Sequence, residues 1–123
     1  TFGLEKQVHF VGTVPNVTNY LAISDVYVQT SAYEGYGMAL VEAALANVPI
    51  VATDAGVAGD LFIDGGSALV TSGSVHDCAS KIEKLLDDEV LAKSISERAK
   101  EIANDHVMQK EVYLNPYKAM LEL

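Results

Sequence analysis

The sequence predicts an α/β domain, a parallel sheet flanked by helices. Three observations carry the prediction. Short strand-like runs rich in Val, Ile and Tyr alternate with segments whose apolar residues recur every three or four positions. The run Ile50–Thr53 is apolar without alternation, as a parallel strand covered on both faces should be, and half of all residues are apolar. Glycine, proline and asparagine punctuate the chain between these runs. The 123 residues contain no internal repeat, low-complexity tract or linker, so residues 1–123 form one unit with a modest core.

The elements follow in order. Val8–Gly12 is the first predicted strand. Val17–Ser24 is a short helix entered through Pro15 and Asn16. Val26–Thr30 is the second strand, carrying residues that favour a pleated surface. Met38–Ala46 is a helix in which Met38, Val41 and Leu45 share the core-facing side. A turn at Asn47–Pro49 leads into the strand Ile50–Thr53, and Asn47 tolerates left-handed backbone angles there. Gly56–Phe62 is predicted to be another short helix. Ala68–Val70 is a brief fourth strand between Gly65-Gly66 and Ser72-Gly73. Val75–Asp87 is a helix with Cys78, Ile82, Leu85 and Leu86 on its buried side. Glu89–Asn104 is a helix with Leu91, Ile95, Ala99 and Ile102 in one stripe. Val107–Leu123 is helical again, with Asn115 and Pro116 placed to start a new helix.

Composition excludes several function classes. The formal net charge is −9, opposite to the basic surface that nucleic acid requires. A single cysteine forms no internal disulfide, which favours a reducing, cytoplasmic setting. No apolar run reaches the roughly 18 residues of a membrane span, and no signal peptide opens the sequence. His9, His76 and His106 do not combine with Cys78 at metal-ligand spacing, so no metal site is expected. Between Gln7 and Ser80 there are seven acids and no Lys or Arg. Asn16-Val17-Thr18 fits a glycosylation acceptor but suits a helix cap better.

One segment concentrates chemistry. A strand ends near Ser31, a loop carries Glu34, Gly35 and Gly37, and a helix opening near Met38 carries Glu42. Glycines at a strand-to-helix turn let the backbone approach a ligand, and free N–H groups of the helix favour an anion. Two carboxylates beside a bare phosphate would repel it. They suit a ligand whose sugar hydroxyls donate to them at either end of a diphosphate. Glu42 is the one polar side chain of an otherwise apolar helix, so a helix buried around it is expected.

These residues resemble a known family. Glu34-Gly35-Tyr36-Gly37 with Glu42 resembles the E-x7-E signature, typically "S-x-x-E-G-F-G-…-E-A", of retaining GT-B glycosyltransferases of the group 1 (family 4) type. Val8-His9-Phe10-Val11-Gly12 resembles the family's "V-x-F-x-G". Ser24-Asp25-Val26-Tyr27-Val28 resembles "A-D-V-x-V", and Pro49-Ile50-Val51-Ala52-Thr53-Asp54-Ala55-Gly56 resembles "P-V-V-A-T-D-x-G". Several such pieces in the right order cover nearly the whole sequence.

The resemblance implies a Rossmann-like fold, part of a carboxyl-terminal nucleotide-sugar-binding domain. It implies that Glu34 is the catalytic residue and meets the donor sugar's hydroxyls. Glu42 would meet the ribose hydroxyls, and the amides of Gly35, Tyr36, Gly37 and Met38 the diphosphate and sugar. It places Gly12, Thr13 and Val14 near the nucleotide base, although the residues themselves suit an ordinary connector equally well. No metal or other cofactor is implied, and the nucleoside diphosphate sugar is the substrate.

Tyr36 stands for the usual Phe, Asn47 for a Gly, Val57 for the second Gly of "G-G", Asp60 for Glu and Ala68 for Gly. Those changes argue against close ligand approach at residues 56–60. The family's earlier strand–helix units, with their "G-R…K-G" cations, and its amino-terminal acceptor domain have no counterpart here. The expectation is therefore a donor-binding part that is inactive alone and completed by a missing domain or partner subunit, with self-association through an open sheet edge and a stripe of Tyr113, Tyr117 and Met120. Peripheral attachment to a membrane would fall to the missing domain. In the family's strand order 3-2-1-4-5-6, Val26–Thr30 loses its usual neighbour; either Val8–Gly12 pairs with it or its edge stays open. Two rivals stand beside this reading: a non-catalytic interaction subunit, and a GT-B relative such as a nucleotide-sugar epimerase or a phosphorylase.

Overall fold

Strand β2, Ile50–Thr53, is the axis of the molecule. The computed structural model describes residues 2–121, with side chains through residue 109. β2 pairs in parallel with β1 (Tyr27–Gln29) on one side and β3 (Leu69–Thr71) on the other, giving a three-stranded sheet of order β1-β2-β3. Tyr27 stands opposite Ile50 and Gln29 opposite Ala52; Val51 stands opposite Leu69 and Thr53 opposite Thr71. Short helix α1 (Thr18–Leu21) precedes β1, α2 (Met38–Leu45) joins β1 to β2, and α3 (Val75–Asp87) and α4 (Glu89–Leu121) follow β3.

The apolar run of β2 is explained by what covers it. Ile50 and Ala52 face one cluster with Leu40, Val41 and Ala44 of α2, Leu21 of α1, and Ala99 and Ala103 of α4. Val51 and Leu69 face a second cluster with Leu85 of α3 and Ile95 of α4, against which Cys78, Ile82 and Leu91 are packed. Helices therefore lie on both faces, and a strand between them needs no polar side. The stripe of α4 passes from one cluster to the other, Ile95 in the second and Ala99 in the first. Alanines at that crossing let α4 approach α2 closely.

The structure corrects several expectations. Val8–Gly12 is not a strand: a strand needs a hydrogen-bonded neighbour, and Phe10 is 98% exposed. Residues 2–13 are all exposed, and β1 keeps an open outer edge among the described residues. Gly56–Phe62 is not a helix. Gly56 and Gly59 have φ of 62° and 81°, which no right-handed helix admits, and the segment is a series of turns with bridges Ala58–Phe62 and Asp64–Ala68. Met38 and Leu86 face solvent, and Cys78 is only partly buried. The break expected after Asn104 is missing, since Asn104–Val107 contains neither Gly nor Pro. The helix also continues through Asn115 and Pro116 instead of restarting there. The Tyr113, Tyr117 and Met120 side chains lie outside the described residues. Elsewhere Ile50–Thr53 and Val75–Asp87 have the predicted bounds, and Asn47 takes a φ of 61°.

Parallel pairing puts the loops after β1, β2 and β3 at one edge of the sheet. Two of them are stitched together. Thr53 Oγ1 donates to the Ser31 carbonyl at 2.6 Å, and Val57 N–H donates to the Tyr36 carbonyl at 2.8 Å. Gly56 is what allows the second contact. Its φ is left-handed, and a Cβ there would stand 2.8 Å from the Tyr36 carbonyl carbon and 3.0 Å from Glu34 Cβ.

The third loop is held by Asp77. Ser74 caps α3 by accepting the Asp77 N–H at 3.2 Å. The Asp77 carboxylate accepts from Lys81 Nζ at 2.7 Å, Ser72 N–H at 2.7 Å and Thr71 Oγ1 at 2.8 Å. The Lys81 ammonium first, then these two donors, hold its carboxyl well below the usual carboxylate range.

Two predictions follow from these contacts. Replacing Gly56 with Ala should destabilise the chain by about 1–3 kcal/mol, from left-handed strain and the crowded Tyr36 carbonyl; a thermal midpoint equal to the parent's would refute the clamp. Asp77→Asn should lower the midpoint at neutral pH. Because the folded carboxyl titrates below the unfolded one, its contribution is complete above about pH 4 and is lost as pH falls further. Melts of parent and variant should therefore converge in acid, and a gap that ignores pH would count against the network.

Candidate functional site

The site is built where β1 ends and α2 begins. Ser31 follows β1 by two residues, and its Oγ donates to Glu34 Oε1 at 2.7 Å. Thr53 in turn holds the Ser31 carbonyl, so the acid's position is tied to β2. Sequence reasoning assigned Glu34 but missed Ser31, Thr53 and Gly56. The S-x-x-E spacing was the available signal for Ser31; Thr53 and Gly56 act through contacts that only the fold creates.

The loop then turns through Gly35, Tyr36 and Gly37 into α2. Gly37 is the N-cap residue, with a φ of 91°, and a Cβ on it would stand 3.2 Å from Leu40 Cδ1. Such a backbone angle suits glycine alone and aims the first turn of the helix. Among the described residues, no hydrogen bond of the loop uses the N–H groups of Gly35, Tyr36, Gly37 or Met38. They lie at the positive end of the helix.

Glu42 is exposed, contrary to the expectation of a helix buried around it. The buried side of α2 is Leu40, Val41, Ala43 and Ala44, while Met38, Ala39 and Glu42 form the open side. A helix that is apolar almost all round gives no periodicity from which to choose its buried face. Glu42 is therefore open to solvent, one helical turn on from Met38.

Tyr27 of β1 feels both acids. Burial pushes its phenol up, and the nearby Glu34 and Glu42 carboxylates push it further. Its hydroxyl donates to Gln29 Oε1 at 2.8 Å. The structure thus brings together Glu34, Gly35, Tyr36, Gly37, Met38 and Glu42. It does not bring in Gly12, Thr13 and Val14. No hydrogen bond or core contact among the described residues joins them to the cluster, and the backbone bonds of residues 2–14 stay within a turn at Leu4–Val8. Residues 56–60, which the sequence argued against as a ligand contact, serve instead to clamp the loop. No group of three or more His, Cys, Asp or Glu among the described residues could hold a metal ion. No described helix is long and apolar enough to cross a membrane.

Comparison with known proteins identifies the family and the fold. Residues 1–102 match the family model of the glycosyl transferases group 1. The chain is 30% identical over 110 residues to the N-acetyl-alpha-D-glucosaminyl L-malate synthase of Bacillus anthracis, which covers 89% of this chain and 29% of that protein. It is 31% identical over 100 residues to the poly(ribitol-phosphate) alpha-N-acetylglucosaminyltransferase of Staphylococcus aureus, covering 80% of this chain and 20% of that one. Among solved structures, Alr3699/HepE of Anabaena in complex with UDP and glucose superposes with a TM-score of 0.79 at 32% identity, over 84% of this chain and 28% of that chain. The carboxyl-terminal domain of a glycosyl transferase group 1 protein of Francisella tularensis shares the fold, with a TM-score of 0.76 at 24% identity, over 84% of this chain and 55% of that chain. The chain spans less than a third of the length of the curated relatives it matches. With the parallel, helix-flanked sheet already described, the match over residues 1–102 makes this chain a member of the glycosyl transferases group 1.

Proposed function

We propose that this chain is the donor-binding part of a retaining glycosyltransferase, which moves a sugar from a nucleoside diphosphate to an acceptor hydroxyl. One observation carries the reading: Glu34 and Glu42 flank the unpartnered N–H groups of residues 35–38 at the carboxyl edge of the sheet. The amides suit the diphosphate, where negative charge grows as the sugar–oxygen bond breaks. Glu34, oriented by Ser31, accepts from hydroxyls of the transferred sugar and is the catalytic residue of the site. Glu42 accepts from the ribose hydroxyls. The likeness to HepE in complex with UDP and glucose supports a nucleotide-sugar ligand of this kind.

No metal or other cofactor enters the proposal. A helix N-terminus contributes only about 0.3–1 kcal/mol toward an anion at an exposed end. The chain offers no Lys or Arg between residues 7 and 80. The remaining cations therefore come from elsewhere in a longer parent. The exposed arm of Phe2, Leu4, Val8 and Phe10 and the open edge of β1 are the surfaces on which the rest of the parent, or a second copy, would pack. The same arm and the missing cations favour a second reading, a non-catalytic subunit that binds a catalytic partner. Nucleotide-sugar binding by the assembled protein separates the two.

In the parent protein, Glu42→Ala should weaken donor binding by about 1–3 kcal/mol with the fold intact, because the residue is exposed and its removal opens no cavity. Equal donor titrations for variant and parent would sink the assigned role. The 123-residue chain by itself should transfer no sugar and bind nucleoside diphosphate sugars weakly or not at all, given seven acids and no Lys or Arg across residues 7–80. Micromolar affinity in low-salt calorimetry would show instead that the donor site is complete.

A further inference from the structure

Tyr36 is held at two points by two separate elements. Its carbonyl accepts the Val57 N–H at 2.8 Å. Its hydroxyl is hydrogen-bonded to Nε2 of His106 on α4, 70 residues further along. The two rings also stack, with centroids 5.9 Å apart and planes 26° from parallel. Neither β1 nor α2, the elements adjoining the loop, supplies such an anchor. Gly35 and Gly37 flank Tyr36 and leave the backbone free on either side. Without the two tethers the peptide between them would sample many orientations, and its N–H groups would have no fixed aim.

His106 itself is well placed to act as an anchor. It follows Ala103 by three residues, and Ala103 is fully buried in the cluster shared with α2. The position of α4 is thus set by packing, and His106 carries that position to the loop.

We infer that His106 is a positioning residue for the loop Glu34–Met38, acting through Tyr36. The effect on ligand rests on the donor-site reading; the clasp itself does not. The hydroxyl of Tyr36, where the resembled pattern has Phe, is the group that makes the clasp directional. Through it the long carboxyl-terminal helix, and not only the sheet, controls where the amides of residues 35–38 point.

Amide hydrogen exchange of this chain, followed by NMR, reads the clasp directly, because the Val57 N–H bonds to the Tyr36 carbonyl. Tyr36→Phe removes only the hydroxyl. His106→Phe keeps a ring and removes the ring nitrogen. His106→Gln restores a polar group at similar reach. Protection of Val57 should fall about fivefold in each of the first two variants, and no further in the double variant. It should return toward the parent value in His106→Gln, with the amides of β2 unchanged throughout. Unchanged Val57 protection in Tyr36→Phe, additive losses in the double variant, or an equal loss across β2 would each overturn the inference. UDP titrations of the longer parent protein, unaltered and with Tyr36→Phe, supply the second readout. If these are the same in parent and Tyr36→Phe although Val57 has lost protection, the positioning role fails. If UDP binds neither form of the parent protein while Val57 responds as expected, the donor reading fails and the clasp stands.

Discussion

Full burial of β2 on both faces is the constraint from which the rest of the structure follows. Ile50 and Val51 are 0% exposed although they point in opposite directions. A four-residue strand can be covered in this way only if helices lie above and below the sheet, which makes the flanking strands parallel and the connections long. Once the strands are parallel, their carboxyl ends fall on one edge, and the loops after β1, β2 and β3 must meet there. The site is thus a consequence of how the core is covered.

At that edge the chain uses backbone groups for both stability and chemistry. The Tyr36 carbonyl is taken by Val57, the Ser31 carbonyl by Thr53, and the N–H groups of residues 35–38 remain outside any internal bond. Two of the loop's acceptors are used internally, while among the described residues the donors of residues 35–38 have no partner, and the loop holds no basic side chain. Glu34 and Glu42 are placed beside this donor array. Such an arrangement suits a ligand that combines an anionic centre with hydroxyl groups, and it would repel a ligand that is anionic throughout.

The same fold leaves apolar surface uncovered. Phe2 and Phe10 are 96% and 98% exposed, and Val28 of β1 is 39% exposed at an edge strand. An arm with no strand partner and an edge with no neighbour are the same deficit seen from two sides.

By itself the sequence determined the fold class, the order of most elements and the cluster Glu34–Met38 with Glu42. These are local properties: an apolar run of strand length, a capped amphipathic helix such as Val75–Asp87, and glycines spaced about a strand-to-helix turn. Asn47 at a φ of 61° belongs here too, because the residue's own tolerance made that turn legible. What the sequence could not decide was anything that depends on a distant neighbour. Val8–Gly12 has strand-like residues but no partner to bond. Gly56–Phe62 has helix-compatible residues but two left-handed glycines, one of them fixed by the crowding of Tyr36. The face that α2 buries was undecided because the helix is apolar nearly all round, and the tertiary structure turned Glu42 outward. Ser31, Thr53, Gly56 and His106 entered the site for the same reason. Each acts through a hydrogen bond or a close approach across the fold, and such contacts exist only after β2 has brought the loops to one edge.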